Sequence, residues 1–190
     1  MRSALLLIFI AVFLSFQSVH AASPEKQRLI VLTDMGADPD DQQSLVRLLL
    51  YANQVDIEGL IATTSVWQKT RVRPGFIREI IDSYASVHAN LVQHEPGFPE
   101  ARALLEVVKS GLAAYGMQGV GDGKDSEGSE WILAMLERDD PRPLWVSVWG
   151  GVNTLAQALY KIESTRSPEE ARRLIDKLRV YTISDQDDSG

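Results

Sequence analysis

The apolar run Leu29-Ile30-Val31-Leu32-Thr33 is followed by a helix-start signal at Asp38-Pro39 and then by a second apolar run from Ile57 to Thr64. A strand without polar alternation is one buried on both faces, as in parallel sheets covered by helices. Asp38 is placed to cap the intervening helix, Pro39 suits its first position, and Asp41 stands where a capping-box acid would. Leu45, Leu48, Leu49 and Ala52 then form one apolar stripe. Strand, helix and strand in that order predict a βαβ unit with parallel strands and a right-handed crossover.

The remaining chain keeps this alternation. Pro74 opens a helix with Phe76, Ile77, Ile80, Ile81 and Tyr84 on its buried face, and Pro99 opens another through Leu104, Leu105 and Val108 that ends near Gly111. His88 and His94 fall in what reads as a Pro/Gly-rich connection, and Gly116 to Gly128 reads as a loop. A short helix is expected over Trp131 to Leu136, a strand over Leu144 to Trp149, and a helix over Leu155 to Ile162 capped by Asn153 or Thr154. Ser167-Pro168-Glu169-Glu170 is a capping box for a helix reaching about Leu178, and Val180 to Ile183 forms the last strand, ahead of Asp185, Asp187 and Asp188. The predicted architecture is a three-layer α/β/α sandwich with a mainly parallel sheet.

Met1-Arg2, the apolar run Ala4 to Leu14 and the small-x-small site Val19-His20-Ala21 have the form of a signal peptide cleaved after Ala21. Residues 22–190 are then expected to form one domain, periplasmic or secreted and free of the membrane after cleavage. The formal net charge of −7 opposes phosphate backbones, so no nucleic-acid partner is expected. Absence of cysteine excludes disulfides, thiolate metal sites and a lipid anchor on cysteine. The two downstream histidines, His88 and His94, lack the spacing of a helical zinc pair. Gly123-Lys124-Asp125 fails the P-loop pattern, since no Ser or Thr follows the lysine.

Ligands of open parallel sheets gather beyond the carboxyl ends of the strands. Asp34, Asp38, Asp40 and Asp41 follow the first strand, and Trp149, Gly150, Gly151 and Asn153 lie at and after the strand ending at Trp149. Clustered carboxylates raise one another's pKa values unless a cation neutralises them, and calcium accepts carboxylates, carbonyls, waters and sugar hydroxyls alike. Helix capping alone would account for Asp38 and Asp41, but Asp34 precedes Met35-Gly36 and lies outside that explanation. No EF-hand pattern is present. Trp67 and Trp149 also follow strands and could stack on a sugar, although core packing is the commoner fate of tryptophan and is the reading favoured for Trp67, Trp131, Trp145 and Trp149.

The segment Leu32-Thr33-Asp34-Met35-Gly36-Ala37-Asp38-Pro39-Asp40-Asp41 resembles the aspartate signature of the inosine-uridine nucleoside hydrolases, Asp-x-Asp-Pro-Gly-x-Asp-Asp. With Gly59-Leu60-Ile61-Ala62-Thr63-Thr64, Tyr115 to Gly121, and Trp149-Gly150-Gly151-Val152-Asn153-Thr154-Leu155-Ala156, the chain is similar to the nucleoside hydrolase-like domain of secreted bacterial cellulose-binding proteins. That resemblance implies calcium held by Asp34, Asp40, Asp41 and the backbone carbonyl of Trp149, with Asp34 as general base, and Asp38, Trp67 and Asn153 near the substrate. It further implies calcium-dependent hydrolysis of an N-glycosidic bond in a nucleoside-like or carbohydrate molecule, or else non-catalytic binding of a polysaccharide such as cellulose. Leu32 stands where the family has its first aspartate, and two extra residues precede the aspartate pair. An ungapped alignment puts Asp38 on the ligand position, while a gapped one keeps Asp40-Asp41 directly before the helix and is preferred. The family domain runs on past the position of Gly190 with a further aspartate ligand and a histidine that assists the leaving group, so the chain is expected to be its N-terminal part.

Overall fold

The computed structural model describes residues 25–183, so the expected signal segment Met1–Ala21 and the acids Asp185, Asp187 and Asp188 lie outside the described residues. Five parallel strands make one sheet: β1 (Gln27–Thr33), β2 (Val55–Ala62), β3 (Val108–Ser110), β4 (Leu144–Val148) and β5 (Leu178–Thr182), in the spatial order β3-β2-β1-β4-β5. Between them run α1 (Asp40–Leu49), α2 (Pro74–His94), α3 (Ala101–Glu106), α4 (Glu127–Glu137), α5 (Asn153–Thr165) and α6 (Pro168–Ile175), with a 3-10 turn at Gly116–Gly119. None of these helices is long and apolar enough to cross a membrane.

The period-2 geometry of β1 sorts its side chains into two cores. Val31 packs with Leu45 and Leu49 of α1, Ile77 and Ile81 of α2 and Leu104 of α3. Ile30 and Leu32 point the other way, joining Ile132 and Leu136 of α4, Leu155 and Ile162 of α5 and Leu174 of α6. Each such aliphatic, fully withdrawn from water, contributes roughly 1.5–3 kcal/mol before entropy is counted. A bulge between Leu29 and Ile30 leaves Glu58 as the extra residue of β2. Its carboxylate accepts from both Nε and Nη2 of the fully buried Arg28 at 3.0 and 2.8 Å, and Arg138, Asp140 and Arg142 complete a charged plate at the amino end of the sheet.

Several expected boundaries are corrected. The segment opened by Pro99 is a short helix followed by β3, because Val108, Lys109 and Ser110 pair with Leu60, Ile61 and Ala62 instead of continuing the turn; Gly111 therefore follows a strand. His88 and His94 lie in α2, which extends far past Tyr84, and His88 stacks on Tyr84 while facing the Phe98 carbonyl at 3.3 Å. The last strand begins at Leu178, two residues earlier than expected. At α1 the cap residue is Pro39, with no side-chain cap, and at α5 it is Val152, so Asp38, Asn153 and Thr154 do not cap as expected. The Ser167–Glu170 capping box of α6 is present, and α4 carries a second one, Ser126 with Ser129, in which serine takes the place of the usual Glu or Gln.

Candidate metal centre

Helices α1 and α5 leave β1 and β4 on opposite faces of the sheet, so the strand order reverses between these two neighbours. The crevice beyond their carboxyl ends is where open α/β sheets bind ligands. Asp34 sits at that point, directly after β1 and only 2 % exposed. Its carbonyl accepts the Ala37 N–H at 3.0 Å, closing a tight turn whose third residue, Gly36, has φ of 86°. A side chain is disfavoured at that φ, and a Cβ on Gly36 would also fall 2.5 Å from the Phe76 ring. From the β4 side, Trp149 and Gly150 donate to the Leu32 carbonyl at 2.8 and 3.3 Å. A Cβ on Gly150 would stand 2.7 Å from the Asp34 nitrogen and 3.0 Å from its Cγ, so the two chain segments touch where this glycine lacks a side chain.

Past the turn, Asp38, Asp40 and Asp41 each bring one carboxylate oxygen within 4.8 Å of the others. Asp41 is 7 % exposed and accepts from the Thr33 hydroxyl. Burial pushes its carboxyl up to about 7, and the charges of Asp34 and Asp40 act the same way against the Thr33 bond, which lowers it. Asp38 and Asp40 share a hydrogen bond that raises the first and lowers the second. Asp40 also accepts the Asp41 N–H at 2.9 Å, whereas the Asp40 N–H reaches Asp38 at 3.5 Å. Asp38, expected to cap the helix, belongs to the cluster. An all-oxygen set of crowded carboxylates, two of them buried, is chemistry that a hard divalent cation satisfies. The fit to calcium rests on that donor set.

A cleft of about 430 Å³ opens beside the acids, lined by Asp40, Asp41, Ser44, Arg47, Tyr51 and Trp149 among others. Its volume is in the range of small-molecule sites. Trp149 is half-buried and bonds through Nε1 to the Ser147 hydroxyl at 2.9 Å. Trp67 is placed apart from that lining. It is 70 % exposed on the turn Ser65–Gln68, whose ends exchange backbone hydrogen bonds at 3.1 and 3.3 Å. Core packing therefore fails for Trp67, and for Trp145, 39 % exposed on a β4 face that no helix among the described residues covers; Trp131 and Trp149 do pack against the cores. Asn153, 2 % exposed, is spent on the scaffold: its Oδ1 accepts from Thr63 and Thr64 at 3.0 and 3.4 Å, and its Nδ2 donates to the Ala114 carbonyl at 2.8 Å. It fastens the end of β2 to the start of α5.

Two residues of this centre escaped the sequence reading: Thr33 bonds Asp41, and Gln68, 3 % exposed, donates to the carbonyls of Asp34 and Met35 at 3.3 and 3.4 Å. Of the two, only Thr33, at the end of a strand just before the acids, carried a local signal. Gly150, placed beyond the strand end by the sequence, proves to be where the chain makes room for Asp34.

Comparison with known proteins agrees with this architecture. A solved structure, of a nucleoside hydrolase-related protein from Saccharophagus degradans described as associated with carbohydrate metabolism, superposes with a TM-score of 0.84 at 47 % identity over 87 % of this chain. The chain spans 40 % of that protein's length. No curated protein matches the chain. Residues 28–190 match the family model described as cellulose-binding Sde182, nucleoside hydrolase-like domain, and the chain belongs to that family.

Proposed function

We propose that this chain carries the calcium site of an exported, carbohydrate-directed protein that hydrolyses N-glycosidic bonds. The observation that carries the reading is the cluster of Asp38, Asp40 and Asp41, whose carboxylate oxygens lie within 4.8 Å of one another, next to the buried Asp34 at the point where the strand order reverses. Asp34, Asp40, Asp41 and the Trp149 carbonyl would hold the ion, and the position of Asp38 within the acidic cluster supports adding it to that set. Bound calcium supplies Lewis acidity and a fixed point for two vicinal sugar hydroxyls. Asp34 takes the proton of the attacking water as its oxygen bonds to the anomeric carbon, the C–N bond breaks, and the bonding pair leaves with the base. The surrounding carboxylates favour the positive charge that develops on the sugar, which is where a rate gain arises. Export through the Met1–Ala21 segment belongs to the same proposal.

A second reading, a non-catalytic module that holds polysaccharide, is favoured by one observation, the solvent-exposed Trp67 on its pinned turn. Aromatic faces in water suit the apolar faces of sugar rings. Calorimetric titration with calcium, followed by nucleoside hydrolysis and cellulose retention with and without chelator, separates the two. Heat on titration together with hydrolysis lost in Asp34→Asn supports the enzyme; metal-independent retention without hydrolysis supports the module. Neither heat nor a rise in melting temperature with calcium would sink the metal site.

A further inference from the structure

Gln68 is buried, yet its Oε1 has no hydrogen-bond partner among the described residues. Its Nε2 donates to two consecutive carbonyls, Asp34 and Met35. The reversed amide would set oxygen against two oxygens, so these contacts fix its orientation. A methionine or leucine would fill the same space without bringing a buried side-chain acceptor that has no donor, and local rules are broken in this way mainly where function requires it. The donor pair is therefore what this position supplies.

Its effect falls on the Asp34–Ala37 turn. The peptide between the two central residues of such a turn can flip, carrying its carbonyl to the other side, and glycine at Gly36 resists neither state. That carbonyl belongs to Met35, and Gln68 holds it. The Met35 side chain is anchored in the core below, and Gly150 presses on Asp34 from β4. With Gln68 bonded from the turn that follows β2, the Asp34 backbone is held from three directions. The main chain of Gln68 also pairs with Ser65, and the Ser65 hydroxyl accepts the Trp67 N–H at 3.1 Å, so the exposed indole rides on the same turn.

We infer that Gln68 is a positioning residue for the cation site: it acts through the Asp34–Met35 backbone to set the Asp34 carboxylate and ties that turn to the one presenting Trp67. This inference rests on the metal reading above. The test compares wild type and Gln68→Met by calcium calorimetry and by melting of the metal-free proteins. Calcium affinity is expected to fall roughly 10- to 100-fold, as for other residues that orient metal ligands. Metal-free melting is expected to move by no more than about 3 °C, within what a small stability change produces. Equal affinities in the two proteins would overturn the inference and leave the metal site intact, whereas absence of binding in wild type would overturn both. Should Gln68→Met not fold, the wild type decides by NMR: the Gln68 side-chain amide pair is expected to shift together with the Asp34–Ala37 amides on calcium saturation. An amide pair that stays still while those backbone signals move would refute the coupling.

Discussion

Replacing Gly150 by alanine probes how closely β4 approaches Asp34. The new methyl would stand 2.7 Å from the Asp34 nitrogen, 2.8 Å from its Cβ and 3.0 Å from its Cγ. Two of these atoms are pinned by the backbone at the end of β1, so no flexible side-chain end can give way. Forcing an extra carbon into a packed contact costs about 1–3 kcal/mol. For a domain of this size that lowers the melting temperature by roughly 2–12 °C. Gly75→Ala is the control: at the start of α2 its methyl meets nothing within 4 Å, and the substitution should raise stability by about 0.5–1 kcal/mol through the unfolded chain and helix propensity. Differential scanning fluorimetry reads both, and calcium calorimetry reports whether the displaced Asp34 still serves the site. A Gly150→Ala protein melting within 1 °C of wild type, judged roughly against the smallest cost above, and binding calcium normally would refute the claim that this glycine sets the geometry of the acid.

Arg28→Met should cost about 3 kcal/mol in urea denaturation by leaving Glu58 buried with only Arg138, and adding Glu58→Met should recover much of that loss, because a matched apolar pair avoids the desolvated charge. Asp140 is held well below the usual carboxylate range, first by its hydrogen bonds from Arg142. Its contribution to stability is therefore complete above the unfolded value, near pH 4, and drains away as pH falls toward the lower folded value; acid titration should show a decline that Asp140→Asn lacks. Trp67→Ala should leave melting within about 1 °C of wild type, since the indole is mostly in water, while cellulose retention drops if the indole holds sugar; unchanged retention removes it from the binding surface.

Much of the fold was legible because local and tertiary preferences agree. The run from Leu29 to Thr33 reads as a strand buried on both faces, and the alternation of apolar runs with amphipathic segments argues a parallel sheet between helical layers. Asp34 stood out because no capping role explained it. The sequence also resolved Ser167–Glu170 and Pro74 as helix starts, since both devices act within one turn of chain.

Other features depended on partners distant in the chain. Val108–Ser110 fits a helical stripe as well as a strand, and only β2, waiting beside it, makes it β3. Trp145 and Trp67 look like core residues until the fold leaves one exposed on β4 and the other on the Ser65–Gln68 turn. The clasp of Asn153, the approach of Gly150 to Asp34 and the bond from Gln68 join residues dozens to more than a hundred positions apart. Periodicity and capping are local and can be read along the chain; the aim of a buried carboxylate is set by whatever the folded sheet brings up against it, and no local pattern encodes that.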